Sequence, residues 1–137
     1  MNITDERVRI ILTGIVVCAV IFGYGKYRCD NPEYKDPLEV QKRFVLDGWS
    51  ATHFAFFLYL GYTFPDHTMF SFALGALWEL FEHYYDRVRP PFLKNFGGGE
   101  CDMRTDRKDG NWWYGKYSDL LMNGLGLFFG YYFKMHM

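Results

Sequence analysis

GALWELFEHYYD, residues 75–86, decides how the rest of the chain is read. From Phe70 to Trp78 the sequence is almost wholly apolar and small. Glu79, Glu82 and His83 then arrive at spacings of three and four, which on a helix places them on one face. In a soluble protein that face is an ordinary polar stripe. At the end of a helix in a bilayer, two carboxylates and an imidazole are strongly unfavourable and mark a functional site. Which setting applies depends on the other apolar stretches.

Four stretches, 8–24, 46–64, 67–85 and 117–135, approach the roughly 20 residues that a spanning helix needs. No charge falls between Ile10 and Tyr24 or between Gly48 and Pro65, and the other two runs carry charge only towards their ends. The 137 residues suffice for one domain, and four such helices in a soluble protein would leave too little polar surface to cover them. The mean hydropathy of −0.17 looks soluble because it scores Tyr and Trp as polar. Aromatics make up 21% of the chain, with 11 Tyr and 4 Trp, the two residues that membrane interfaces favour. The expected fold is therefore an all-α integral membrane four-helix bundle, 1–137 forming a single domain. Both termini lie on one side, and loops 25–45 and 86–116 on the other.

A formal charge of −1 gives no field suited to nucleic acid. Cys18, Cys29 and Cys101 form no CxxC or metal spacing, and an odd count with one thiol inside a span reads as unpaired thiols. The first run carries Asp5 and Glu6 before it and no A-x-A-like site after it, so it reads as retained rather than cleaved. The two loops hold twelve of the fifteen Lys and Arg, leaving Arg7, Arg9 and Lys134 on the terminal side. By the positive-inside rule the loops are cytosolic and the termini extracytosolic or lumenal.

Local signals divide the chain further. Asp36-Pro37-Leu38-Glu39 reads as a helix start, and the short turn Phe64-Pro65-Asp66-His67 makes its flanking runs antiparallel neighbours. Gly14, Cys18 and Gly25 give the first run small residues for close packing, and Asp119, Asn123, Gly126 and Gly130 give the fourth a polar-to-small stripe. Loop 86–116, with Pro90-Pro91 and Gly97–Gly99, reads as flexible or lid-like. His67 and His136 lie on the far side and receive no role.

Depth sharpens the site. His53 lies six residues into its run from Asp47, about 9 Å at about 1.5 Å per residue. Glu79 lies six before Tyr85, and Asn123 six after Tyr117. The three runs meet the loop side at those ends, so His53, Glu79 and Asn123 share one layer. Asp47, Glu82, His83 and Asp119 form a shallower one. So many carboxylates near a bilayer need compensation. A divalent cation (Ca²⁺, Mn²⁺ or Mg²⁺) held among Glu79, Glu82, His83, Asp47 and Asp119 would supply it. Partial protonation within a hydrogen-bonded network or proton path is the alternative. In the first case the protein is an enzyme on phosphorylated lipid headgroups. His53, Glu79 and Asp119 are then its catalytic residues, and Asn123, Trp49 and Lys116 bind substrate. A scaffold that docks a protein partner on loop 86–116 is a third reading.

These motifs resemble a known group. Asp47 with His53, Trp78-Glu79 with Glu82, and Asp119 with Asn123, on successive helices over residues 45–130, resemble the VanZ-like small membrane proteins. That group is linked to glycopeptide resistance, and the resemblance implies a fold more than a reaction. A more distant resemblance is to base-exchange phosphatidylserine synthases, which are calcium-dependent and swap phospholipid headgroups. It rests on His53, Trp78-Glu79-Leu80 with Glu82, Asn95-Phe96, Glu100-Cys101, Trp112-Trp113, Asp119 and Asn123. The Glu-Cys and Trp-Trp pairs are contiguous in those enzymes and separated here, and Tyr114 stands where they carry Asp. The resemblance implies metal and lipid.

Overall fold

A computed structural model describes residues 3–31, 33–40, 46–98, 101 and 117–137. Each apolar run folds as a helix. α1 spans Ile3–Asp30, the short α2 Pro37–Val40, α3 Gly48–Thr63, α4 Thr68–Val88 and α5 Tyr117–His136. The described residues are thus all-helical, with four long helices.

The ends follow local chemistry. The Asp36 carboxylate accepts from the Leu38 amide at 3.0 Å, capping α2 as its sequence requires. Asp47 caps α3 in the same way, accepting from the Ser50 amide at 3.0 Å. A single 3-10 turn, Pro65–His67, reverses the chain into α4. α4 stops where Arg89 turns left-handed (φ 48°) ahead of Pro90-Pro91. α1 extends well past the apolar run 8–24, because Asp5 and Glu6 in its first turn and Arg28 in its last complement the helix dipole. Charge at its ends lengthens this helix instead of stopping it.

α3 and α5 run parallel in backbone contact. A Cβ at Gly126 would lie 2.5 Å from the Phe54 carbonyl oxygen, and one at Gly130 would run into the Leu58 carbonyl. This is the small-xxx-small packing that lets two helices approach closely. α1 is different: it is held near its two ends. At the terminal side Ile10 enters a small core with Phe57, Leu60, Phe64 and Leu127. Beside it the Glu6 carboxylate lies 3.2 Å from His67 Nε2, and the Arg9 guanidinium sits 5.4 Å from the centre of the Phe64 ring. At the loop side Gly98 (φ 82°) presses on α1, where a Cβ would meet the Gly25 carbonyl oxygen at 2.5 Å. Phe96 packs its ring on Phe22, Phe81 and Tyr85, and the buried Tyr85 hydroxyl donates to the Leu93 carbonyl at 2.9 Å.

Two sequence expectations change here. Cys29 and Cys101 are joined in a disulfide, so only Cys18 is a free thiol. Spacing could not reveal a pair separated by 72 residues, which the fold of 91–98 onto α1 brings together. His67, given no role by the sequence, is buried and paired with Glu6. The described part of loop 86–116, expected to be flexible or lid-like, is packed by these contacts; its residues 99–100 and 102–116 lie outside the described residues.

Burial is distributed inside out. Asp36, Asp47, Ser50, Ser71, Glu79, Asp119 and Asn123 are all buried, while Leu12, Val16, Leu77, Leu80, Leu121 and Phe128 are each more than half exposed. On α4 the buried stripe is Ser71, Gly75 and Glu79; on α5 it is Asp119, Asn123, Gly126, Leu127 and Gly130. By length and hydropathy alone, one helix among the described residues could cross a membrane: Asp5–Asp30 within α1, with a mean hydropathy of 2.1 in its best window. The four spans expected from the sequence reduce to that one on this measure. α3, with 16 residues and thus about 24 Å, is shorter than the ~30 Å hydrocarbon core.

Candidate metal centre

The centre is built on the rigid α3–α5 pair and closed by α4. The Asp47 cap fixes the first turn of α3, and Ser50, three residues on, lies fully buried beneath it. The Ser50 hydroxyl donates to Asp119 Oδ1 at 2.8 Å, so α3 orients the carboxylate that opens α5. One turn deeper, His53 Nδ1 lies 2.8 Å from Asn123 Oδ1. With an amide oxygen as its neighbour, Nδ1 carries the ring proton, and the Nε2 lone pair is left facing Asp119. Nε2 is 3.9 Å from Asp119 Oδ2, and Nδ1 is 3.6 Å from Glu79 Oε1.

Gly75 and Phe57 set the floor. A Cβ at Gly75 would lie 2.5 Å from the Phe57 ring and 2.9 Å from Asn123 Nδ2, so only glycine lets α4 bring Glu79 this close. As a result His53, Glu79 and Asp119 each present a donor atom within 4.8 Å of the other two. Two donors bound at about 2.1–2.5 Å to one ion lie roughly 3–4 Å apart, so modest movement would converge this set. Both carboxylates are buried and the imidazole is half-buried. One nitrogen and two carboxylates suit Mn²⁺, Ca²⁺ or Mg²⁺. The residues present therefore fit a divalent cation.

Of the residues the sequence nominated, His53, Glu79 and Asn123 lie together at one depth; Asp119, expected in the shallower layer, joins them, and His53, expected as a catalytic residue and not as a ligand, stands among the three donors. Asp47 lies beside them as a helix cap, acting on Asp119 through Ser50. Glu82 is half-buried and sits near Cys18 of α1 rather than in the cluster. His83 is exposed and outside it. Trp49 is displaced to a neighbouring wall, where its indole N–H donates to Asp36 Oδ2 at 2.6 Å. Lys116 lies outside the described residues. Ser50 shares a face with Asp47 and His53 by its sequence spacing but receives no role from the sequence; the structure makes it the link between the α3 cap and Asp119.

Beside the centre, a cavity of about 950 Å³ separates α1 from α3 and α4. His53 and Asn123 stand on its wall. No protein-family model, curated protein or solved structure matches this chain.

Proposed function

We propose that this chain is an integral membrane protein that holds a divalent cation at His53, Glu79 and Asp119 and acts on the phosphate-bearing headgroup of a membrane lipid. The observation that carries the reading is the convergence of those three donors, 4.8 Å or less apart, inside the bundle. Bound there, Mn²⁺ or Ca²⁺ would supply polarisation of a phosphoryl oxygen. The chain's own part is positional. Ser50 fixes Asp119, and Asn123 fixes the tautomer and plane of His53.

The membrane setting is supported by the inverted burial. Small and polar residues line the helix contacts while leucines and phenylalanines face outward, which is how helices pack in lipid and is unfavourable in water. The resemblances to VanZ-like proteins and to base-exchange phosphatidylserine synthases point the same way, the second towards a calcium-dependent headgroup reaction.

Orientation rests on two opposed signals. The basic residues favour cytosolic loops. The Cys29–Cys101 disulfide favours the opposite face, because cytosolic thiols are kept reduced. Giving the pairing of Cys29 with Cys101 the greater weight, we propose that the loop side faces an oxidising compartment. Alkylation of intact cells with an impermeant maleimide, before and after reduction, checks this. New labelling at Cys29 and Cys101 only after external reduction is expected, and free thiols at both positions in untreated cells would reverse the assignment.

A second reading, a structural polar network without metal, is favoured by the Ser50–Asp119 and His53–Asn123 hydrogen bonds. The two are separated by Mn²⁺ titration of the purified protein, followed by electron paramagnetic resonance, and by turnover of headgroup-labelled phospholipid. The enzyme reading expects Mn²⁺ binding and turnover, both lost in Glu79→Gln and His53→Ala. Wild-type levels of both in these variants would end it.

A further inference from the structure

At the loop end, where α1, α2 and α3 approach one another, lies a group of side chains that the metal centre does not use. Asp36 is 2% exposed, and its carboxylate accepts three hydrogen bonds. The Tyr24 hydroxyl and the Leu38 amide each donate to Oδ1 at 3.0 Å, and the Trp49 indole N–H donates to Oδ2 at 2.6 Å. All three donors are neutral, and Asp36 has no cationic partner among the described residues. A carboxylate buried this deeply ordinarily has one.

The rings in front of Asp36 offer a seat for a cation. Tyr24 is neighbour to both of the others, 5.7 Å from Trp49 and 6.2 Å from Tyr34 between ring centres. All three rings border the cavity and keep accessible surface, Tyr34 being 37% exposed. The Tyr24 and Tyr34 hydroxyls lie 3.3 Å apart, so Tyr34 joins the carboxylate through Tyr24. A ring whose O–H or N–H donates to an anion is richer in π electrons and holds a cation on its face more strongly.

The chemistry of this corner selects the cation. Metal ions take oxygen ligands, and both Asp36 oxygens are already engaged behind the rings. An ammonium with N–H bonds would need acceptors there as well. A quaternary ammonium has no N–H to satisfy, and aromatic surfaces recognise it. Position supplies the rest of the molecule. Trp49 and His53 are four residues apart on one face of α3, about 6 Å along its axis. A cation at the rings and a phosphate at the metal centre are therefore within the span of a short aminoalcohol.

We infer that Tyr24, Tyr34 and Trp49, backed by Asp36, form a subsite for a quaternary ammonium group, which makes the ligand of the centre a choline-type phosphate. This deepens the headgroup reading and rests on it for the phosphate; the ammonium subsite stands on the corner alone. It also gives Trp49, which lies apart from the three metal donors, a part in binding.

The test uses the full chain in maltoside micelles, stripped of metal with EDTA, and follows choline by saturation-transfer NMR and titration calorimetry. Choline is expected to bind, and dimethylbutanol, its uncharged isostere with carbon in place of nitrogen, to bind several-fold more weakly. Trp49→Leu and Tyr34→Leu should each weaken choline roughly 2- to 30-fold, the range of one cation–π contact, with little effect on the isostere. Trp49→Phe, which keeps a ring, should recover much of the loss. Tyr34 is exposed, so its variant stays informative even where a change at Trp49 lowers the melting temperature. Absence of choline binding, equal binding of choline and isostere, or unchanged choline affinity in a folded Tyr34→Leu protein would overturn the subsite. Phosphatidylcholine, but not phosphatidylglycerol, added to the micelles should displace choline. Choline that binds and is not displaced would overturn the tie to a lipid headgroup and make the free aminoalcohol the ligand. Loss of Mn²⁺ binding with choline binding intact would count against the metal reading alone, and the converse against the ammonium subsite alone.

Discussion

α3 meets α5 backbone to backbone, whereas α1 spans a cavity and touches the bundle near its two ends. The contrast shows how a small helical protein keeps a site both fixed and reachable. The donors of the metal centre sit on or against the tight pair, where glycines remove any slack. The cavity of about 950 Å³ lies on the loose side, where α1 is pinned by a disulfide at one end and by an ion pair with aromatic contacts at the other.

Disrupting the tight pair should have the largest effect. Gly130→Val drives a branched side chain into the Leu58 carbonyl and Tyr62, where α3 cannot yield without losing its own hydrogen bonds. Overpacking of this kind is destabilising by about 1–3 kcal/mol or more, and the expected outcome is a steep fall in melting temperature together with loss of Mn²⁺ binding. A stable variant with an intact metal site would show that the glycine contact is not what holds the centre. Loosening the other region should leave the centre standing. Cys29→Ser opens a loop of 72 residues, an effect bounded by about 4 kcal/mol from chain entropy. It should lower the melting temperature and raise amide exchange in the last turns of α1 while Mn²⁺ affinity changes little. The smallest effect tests how the tight pair serves the site. Ser50→Ala removes the hydrogen bond to Asp119 and should weaken Mn²⁺ roughly 10- to 100-fold, with a fall in melting temperature smaller than that of Gly130→Val because one buried carboxylate oxygen loses its donor. Ser50→Thr, which keeps the hydroxyl, should recover most of that loss.

The same contrast marks what was legible in the sequence. Counting residues along the runs brought His53, Glu79 and Asn123 to one depth because helical rise is fixed by the backbone, although α4 runs on to Val88, three residues past the Tyr85 from which Glu79 was counted. Depth alone does not give rotation about the helix axis. Glu79 and His83 share a face within about 40°, yet one is buried and the other exposed. Glu82, about 60° the other way, sits near Cys18 instead.

By itself the sequence determined the four long helices to within a few residues, the helix start at Asp36, the parallel course of α3 and α5, and the glycine stripe of α5. These depend on propensity, capping and periodicity, which act within a few residues. Only the tertiary structure decided that Cys29 meets Cys101, that Glu6 meets His67, that Ser50 orients Asp119, and that a cavity lies under α1. Each is a meeting of residues dozens of positions apart, set by how closely the helices approach. GALWELFEHYYD shows both sides of this: its spacing put Glu79 on the site's face, and the glycine at its start let Glu79 reach it.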